Sequence, residues 1–343
     1  MEKGSIKLIT FEDDRYSLNM NPIINLFFLI FLLSILNSCT NKKDGSQKQD
    51  YILAERNLIP EGVAFDNRTG TIYVGSTFKR KIVQITQDGK ITDFIPEKYN
   101  DITSIVGMEV DEKRGILWAN IAHANEVMPL KDPHPTADWM TGICSFNIES
   151  RKLTRRYDLQ AEQAFLNDLT VLPTGDVVIT ESVNNKIYRI NSKTDSLELF
   201  LEPQGFTFLN GITYSDKFNA LYVSSVQGIL HIDIASGNYY LMKTADSVDA
   251  GGIDGLAIYE NKLIGHQSSK VSAFYLNDTG TEVIKAEILD SGKEFDSSTT
   301  GEIGGSDYYF IVNSQVRSGI DKEKRTIKPA DSLKEVIIRK ITL

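Results

Sequence analysis

One short element recurs along the chain and leaves few folds open to it. A residue followed by glycine leads into an apolar alternation at Glu61-Gly62-Val63-Ala64-Phe65. The pattern returns as Val106-Gly107-Met108, Asn167-Asp168-Leu169, Asn210-Gly211-Ile212, Asp254-Gly255-Leu256 and, more weakly, Thr300-Gly301-Glu302. Its first residues stand at 61, 106, 167, 210, 254 and 300, in steps of 45, 61, 43, 44 and 46. The one long step holds a proline-rich insertion, VMPLKDPHPTADW. Each element is followed by a turn and a second apolar run: TIYVGST, ILWANIAH, DVVITES, ALYVSSV, KLIGHQS and DYYFIVNS. Third runs follow at matching offsets (KIVQIT, GICSFNI, KIYRI, GILHIDI, KVSAFYL, EVIIRKI), then fourth ones (ITDFI, KLTRRYDL, LELFL, YYLMK, EVIKAEIL). Short alternating runs bounded by turn residues read as strands. Six copies of a four-stranded unit at this period predict an all-β chain folded as a six-bladed β-propeller over residues 51–343. The sixth copy lacks a fourth strand. The spare run YILAERN, ahead of the first copy, is expected to supply it as the outer strand of the last blade, closing the ring. Stacked β-sandwiches would not repeat the element at these steps, and a TIM barrel needs a helix after each strand.

Upstream lies the apolar run IINLFFLIFLLSIL at 23–36, then Asn37-Ser38-Cys39 and the polar stretch TNKKDGSQKQD. The run is short for a bilayer span and fits the apolar region of a signal peptide; a retained anchor or a buried helix are the alternatives. A small residue before a lone cysteine resembles the lipobox of a bacterial lipoprotein. The resemblance implies a signal peptide at 1–38, lipidation of Cys39, and a tether at 39–50. Glu12, Asp13 and Asp14 are atypical of a leader, and a start at Met20 would remove them. Thr40 and Asn41 carry no acidic retention signal, so the expected location is the outer membrane, facing the periplasm. Against 37 basic residues stand 46 acidic ones, a net charge of -9, which argues against binding nucleic acid. With Cys39 taken by lipid, Cys144 has no partner, so the fold relies on no disulfide and no cysteine-held zinc. A monomer is expected.

Innermost strands of a propeller surround its axis, so equivalent repeat positions meet at one height. The six first residues include Glu61, Asn167, Asn210 and Asp254, with no Lys or Arg among them. Two carboxylates and two amide oxygens suit a hard divalent cation, calcium by preference, with zinc, magnesium or manganese open. Without a cation the two carboxylates would repel. Asn-Gly and Asp-Gly are also common turn dipeptides, and each site taken singly reads more readily as a turn than as a ligand; their shared register favours the ligand reading.

The segments PEGVAFD, FLNDLTVLPTGDVVITES, LNGITYSDKFNALYVSS and IDGLAIYENKLIGH resemble the blade openings of the senescence-marker-protein, gluconolactonase and luciferin-regenerating-enzyme-like propellers, from about Leu58 onward. The last blade is similar to those of paraoxonase-like propellers. The resemblance implies one divalent metal held by Glu61, Asn210 and Asp254, with Asn167 facing the ion, its water or its substrate. It implies Asp254 as both ligand and base. Where gluconolactonase-type members carry an arginine that grips sugar hydroxyls, two residues before Asn167, this chain has Phe165. A substrate other than a sugar lactone is therefore expected.

Second strands run back toward the metal face and end at Thr77, His123, Glu181, Ser225, His266 and Asn313. His123 and His266 are independent candidates for a catalytic base, His134 in the insertion for a lid, and His231 for a structural role. The expected reaction is metal-assisted hydrolysis of a small-molecule lactone or activated ester. No G-x-S-x-G element supports a covalent route. The alternative is a non-catalytic, lipid-anchored propeller that binds a ligand or protein partner around a structural metal.

Overall fold

Among the described residues the strands gather into six sheets, antiparallel but for one short parallel pair in blade 5, apart from one hairpin of two-residue strands. The chain is seen in a computed structural model that describes residues 48–124, 139–160, 163–321, 323–324 and 326–343. The expected signal peptide, Cys39, most of the tether and His134 lie outside the described residues. Blade 1 covers 60–95, blade 2 104–158, blade 3 166–201, blade 4 212–241, blade 5 256–291 and blade 6 301–342. The innermost strands contact one another in a closed cycle, each touching the next and the sixth touching the first. This is the six-bladed propeller that the repeat predicts.

Second strands such as TIYVGS and ALYVSS are buried along their whole length because both faces meet a neighbouring blade. Six apolar clusters result, one at each interface between blades. Outer strands such as KLTRRYD are largely exposed, and they carry the charges. Cys144 is fully buried between blades 1 and 2, where burial pushes its thiol up to about 12.

Ring closure follows the expected scheme with shifted bounds. The closing strand is Gln49–Leu53, and Arg56–Leu58 turns away as a short 3-10 segment instead of continuing the strand. It pairs antiparallel with Val336–Thr342, placing Asp50 opposite Arg339. Arg339, nearly buried, grips both oxygens of Asp50 at 2.7 and 2.8 Å, and reaches Asp290 and Glu294 at 2.9 Å each. Asp290 also receives Lys48 at 2.5 Å. Phe65 of blade 1 stacks on Tyr309 of blade 6 at 4.5 Å across the same seam. The run YYLMK divides: Tyr239–Leu241 closes blade 4, while Lys243–Thr244 crosses over to pair in parallel with the outer strand of blade 5.

Removing the guanidinium leaves the buried Asp290, and the partly exposed Asp50 and Glu294 beside it, without their main counter-charge. Arg339→Met is expected to cost about 3–5 kcal/mol in urea unfolding, with part of that restored by adding Asp290→Asn. A loss below about 1 kcal/mol would show that this clasp does not hold the ring closed.

Candidate functional site

The recurring element works as a bulge. In blades 1, 2 and 3 the pairing register slips between Pro60 and Val63, Ile105 and Met108, and Leu166 and Leu169. The two residues released from the ladder in each case are the element's own pair. A bulge re-aims side chains, and here it delivers the first residue to the axis. The glycine that follows has a different task. A Cβ on Gly62 would lie 1.9 Å from the Val106 carbonyl oxygen, and one on Gly211 would lie 2.5 Å from that of Asp254. Gly107 and Gly255 abut Asn167 and Thr300 in the same way. Each glycine thus makes room for the first residue of the next blade. None of Asn210, Gly211, Asp254 or Gly255 has a positive φ, so these dipeptides are not hairpin turns.

All six first residues line one cavity of about 10 Å³, joined by Asp168 from blade 3. That is room for about one water-sized sphere. Asn167 donates its amide NH₂ to Ser182 Oγ at 3.0 Å, and Ser182 in turn donates to the Leu209 carbonyl. The Asn167 amide oxygen is left free of that bond. Asn210 donates to Asp254 Oδ1 at 2.8 Å. Glu61 Oε2 is buried with no hydrogen-bond partner. Burial holds the Glu61 carboxyl well above its usual range, with Asp254 adding to the shift and Arg317 opposing it. Asp254 is pushed up to about 6 by burial, against the Asn210 hydrogen bond and the charge of Arg317. An orphaned carboxylate oxygen facing a second carboxylate is what a bound cation would satisfy. Among the described residues no group of three or more His, Cys, Asp or Glu side chains converges to hold a metal. A cation here therefore needs the amide oxygens of Asn167 and Asn210 as well as Glu61 and Asp254, and that set fits a hard ion.

The second-strand ends are placed otherwise. Thr77 donates to the Ile59 carbonyl, and Ser225 to that of Gly228. Asn313 clasps Glu335 and Ile337. Glu181 accepts the backbone N–H groups of Phe165, Val183 and Asn184. These residues staple the loops of the upper face. Neither His123 nor His266 lines the cavity, and both are fully buried. His266 Nε2 accepts from Tyr308 OH at 2.7 Å, and Nδ1 meets Ser298 Oγ at 2.8 Å. Ser298 spends its proton on the Ile311 carbonyl, so Nδ1 carries the imidazole hydrogen. Burial pushes His266 down to about 3, leaving a neutral bridge between blades. Ser298 beside His266 is likewise locked and is no exposed nucleophile. His231 lies between Tyr222 and Tyr240 on blade 4, as its alternation within a third strand suggests.

The far half of the channel opens into a cavity of about 480 Å³ lined by Glu109, Asp168 and Glu302. Glu109 accepts the Val171 N–H and Asp168 the Ile212 N–H. Burial raises Asp168 and Glu302 to about 7 each. Glu109 is held well above its usual range by burial and then by the charge of Glu302. The sequence reading did not single out these acids. Asp168 signals itself only by standing where the other blades have glycine.

No protein-family model matches the chain, and no curated protein matches it in sequence. Solved structures match in fold. A gluconolactonase from Xanthomonas campestris superposes with a TM-score of 0.58 at 12% identity, over 89% of this chain and 93% of that one. A luciferin-regenerating enzyme gives 0.58 at 16%, over 87% and 96%. A virginiamycin B lyase from Staphylococcus aureus gives 0.52 at 17%, over 87% and 99%. The likeness expected from the blade openings is thereby met in the fold.

Because Glu302 takes up a proton on folding, its contribution is favourable below its unfolded value and is lost as pH rises through about 7. Glu302→Gln removes that loss. We expect the variant to melt about 2–4 °C above the parent at pH 8 and level with it at pH 4.5. Equal melting at both pH values would mean that the channel carboxyl is not perturbed.

Proposed function

We propose that the protein is a divalent-cation-dependent hydrolase of a lactone or another activated ester, acting at the upper cavity. The observation that carries this reading is the convergence of Glu61, Asn167, Asn210 and Asp254 on a space for one ion, with one carboxylate oxygen left unpartnered. The gluconolactonase among structures of this fold supports the choice of ester chemistry. The four residues would hold calcium or a similar hard cation. When bound, that ion supplies a Lewis acid for the carbonyl oxygen and for the oxyanion that follows.

Asp254 is the base. It takes a proton from water as the water oxygen bonds to the carbonyl carbon, then returns the proton to the alkoxide as the ester C–O bond breaks. Asn210, bonded to Asp254 Oδ1, fixes the carboxylate plane and leaves Oδ2 for that transfer. Tight packing around the glycines keeps these groups rigid, as such a site needs. His123 and His266 take no part in this scheme. Action from a membrane surface through lipid on Cys39 belongs to the same proposal; Cys39→Ser is expected to move the protein from the membrane to the soluble fraction on cell fractionation.

The test uses protein lacking residues 1–38, assayed on lactones and aryl esters with calcium, zinc, magnesium or manganese. Asp254→Ala is expected to lower kcat/KM at least 100-fold, a loss of about 2.7 kcal/mol or more in transition-state stabilisation. Calcium is expected to raise the melting temperature of the parent but not of Glu61→Gln/Asp254→Asn. Hydrolysis that survives Asp254→Ala would sink the reading. Calcium stabilisation without hydrolysis in any metal would instead favour a binding propeller with a structural ion.

A further inference from the structure

The upper rim carries one more charge, from the blade opposite Phe165. Arg317 is exposed on the loop that leaves the second strand of blade 6. Its Nη1 reaches Ser268 Oγ of blade 5 at a long 3.4 Å. Ser268 pairs with Ser298, whose neighbour Thr299 lines the cavity and donates to the Glu61 carbonyl. This path leads from Arg317 to a residue that lines the cavity, and the charge of Arg317 is felt by both Glu61 and Asp254. Among the described residues it nonetheless forms no ion pair within 4.0 Å, whereas Lys334 on the same loop faces Asp296. The guanidinium therefore lies within electrostatic reach of two carboxylates without docking on either, and most of its donors stay open.

Across the ring the rim is apolar. The half-buried Phe165 ring packs on Val106 and Ala122. Phe208 is 53% exposed, two residues ahead of Asn210, and holds a φ of 55° that a bulky side chain rarely adopts. Its backbone is fixed there by Asn185, and Val226 beside it is 57% exposed. Strain of this kind persists where the surroundings impose it, and it collects at ligand sites.

We propose that Arg317 is a specificity-determining residue of the upper cavity, binding a carboxylate carried by the substrate while Phe208 and Val226 face its apolar part. The substrate class is then an anionic lactone or ester with an apolar body, not a neutral sugar lactone. A planar guanidinium with free donors suits a carboxylate, which it can take in two parallel bonds. The inference rests on the hydrolase reading for its kinetic arm but not for its binding arm.

Two esters that share a leaving group and differ by one carboxylate decide it: mono-para-nitrophenyl glutarate and para-nitrophenyl pentanoate, assayed with calcium. The parent is expected to prefer the glutarate ester. In Arg317→Gln that preference is expected to collapse at least tenfold, through KM more than kcat, with Arg317→Lys recovering part of it. Glutarate ion is expected to bind the calcium-loaded parent by calorimetry, and the Gln variant at least tenfold more weakly. Equal losses on both esters, or equal glutarate binding by parent and variant, would overturn the assignment. If neither ester is cleaved but glutarate binding still depends on Arg317, the hydrolase reading fails and the anion subsite stands. If Asp254→Ala abolishes cleavage while Arg317→Gln leaves the glutarate preference intact, the reverse holds.

Discussion

In four of the six blades the innermost strand lies so close to the next that its glycine has no room for a side chain, and the rest of the molecule is arranged around that approach. Gly62 sits against Val106, Gly107 against Asn167, Gly211 against Asp254 and Gly255 against Thr300. Backbone bonds lock the same joints, with Gly211 N–H on the Asp254 carbonyl at 2.7 Å and Gly255 N–H on that of Thr299 at 2.6 Å. Blade 3 uses another device, since Asp168 holds the Ile212 N–H with its carboxylate. These contacts set the ring's radius at one level. In blades 1 and 2 the bulge that frees the glycine also turns the preceding residue inward, so there a tight ring and a polar cavity share one local cause.

The chain's own charges divide that axis into two halves. Above, two carboxylates and two carboxamides crowd a space of one water-sized sphere. Below, Glu109, Asp168 and Glu302 line a wider chamber, and Asp168 reaches both. Like charges enclosed at low dielectric favour their neutral forms, so the column carries less charge than its composition suggests. The upper pair differs in having amide oxygens beside it and an arginine within electrostatic reach.

How much of this could be read from sequence depended on whether the signal repeated. The period gave the blades, the missing fourth strand gave the closure, and the shared register of Glu61, Asn167, Asn210 and Asp254 gave their convergence. Glu109 and Glu302 stand at different offsets from their blade openings, and no single repeat position marks them. Arg317 lies in a long connection between second and third strands, where no repeat position marks it. His266 looked like a rim residue because strand direction fixes which end it occupies. The sequence carries no trace of the Ser298 and Tyr308 hydroxyls that enclose it, because they come from other strands. The split of YYLMK between blades 4 and 5 was hidden as well, since an apolar run does not say which sheet its end will join.

The seam clasped by Arg339 also orders events in time. Asp50 and Arg339 are 289 residues apart, and their pairing completes the last blade. Contacts of such long sequence separation form late, because a large loop must close before they contribute. During synthesis the first five blades can each pair their four strands locally while the ring stays open, exposing the apolar face of blade 1 that blade 6 will cover. The native core between those two blades comes into being only when the final strand, Val336–Thr342, has been made and has captured Gln49–Leu53 from the opposite end of the chain.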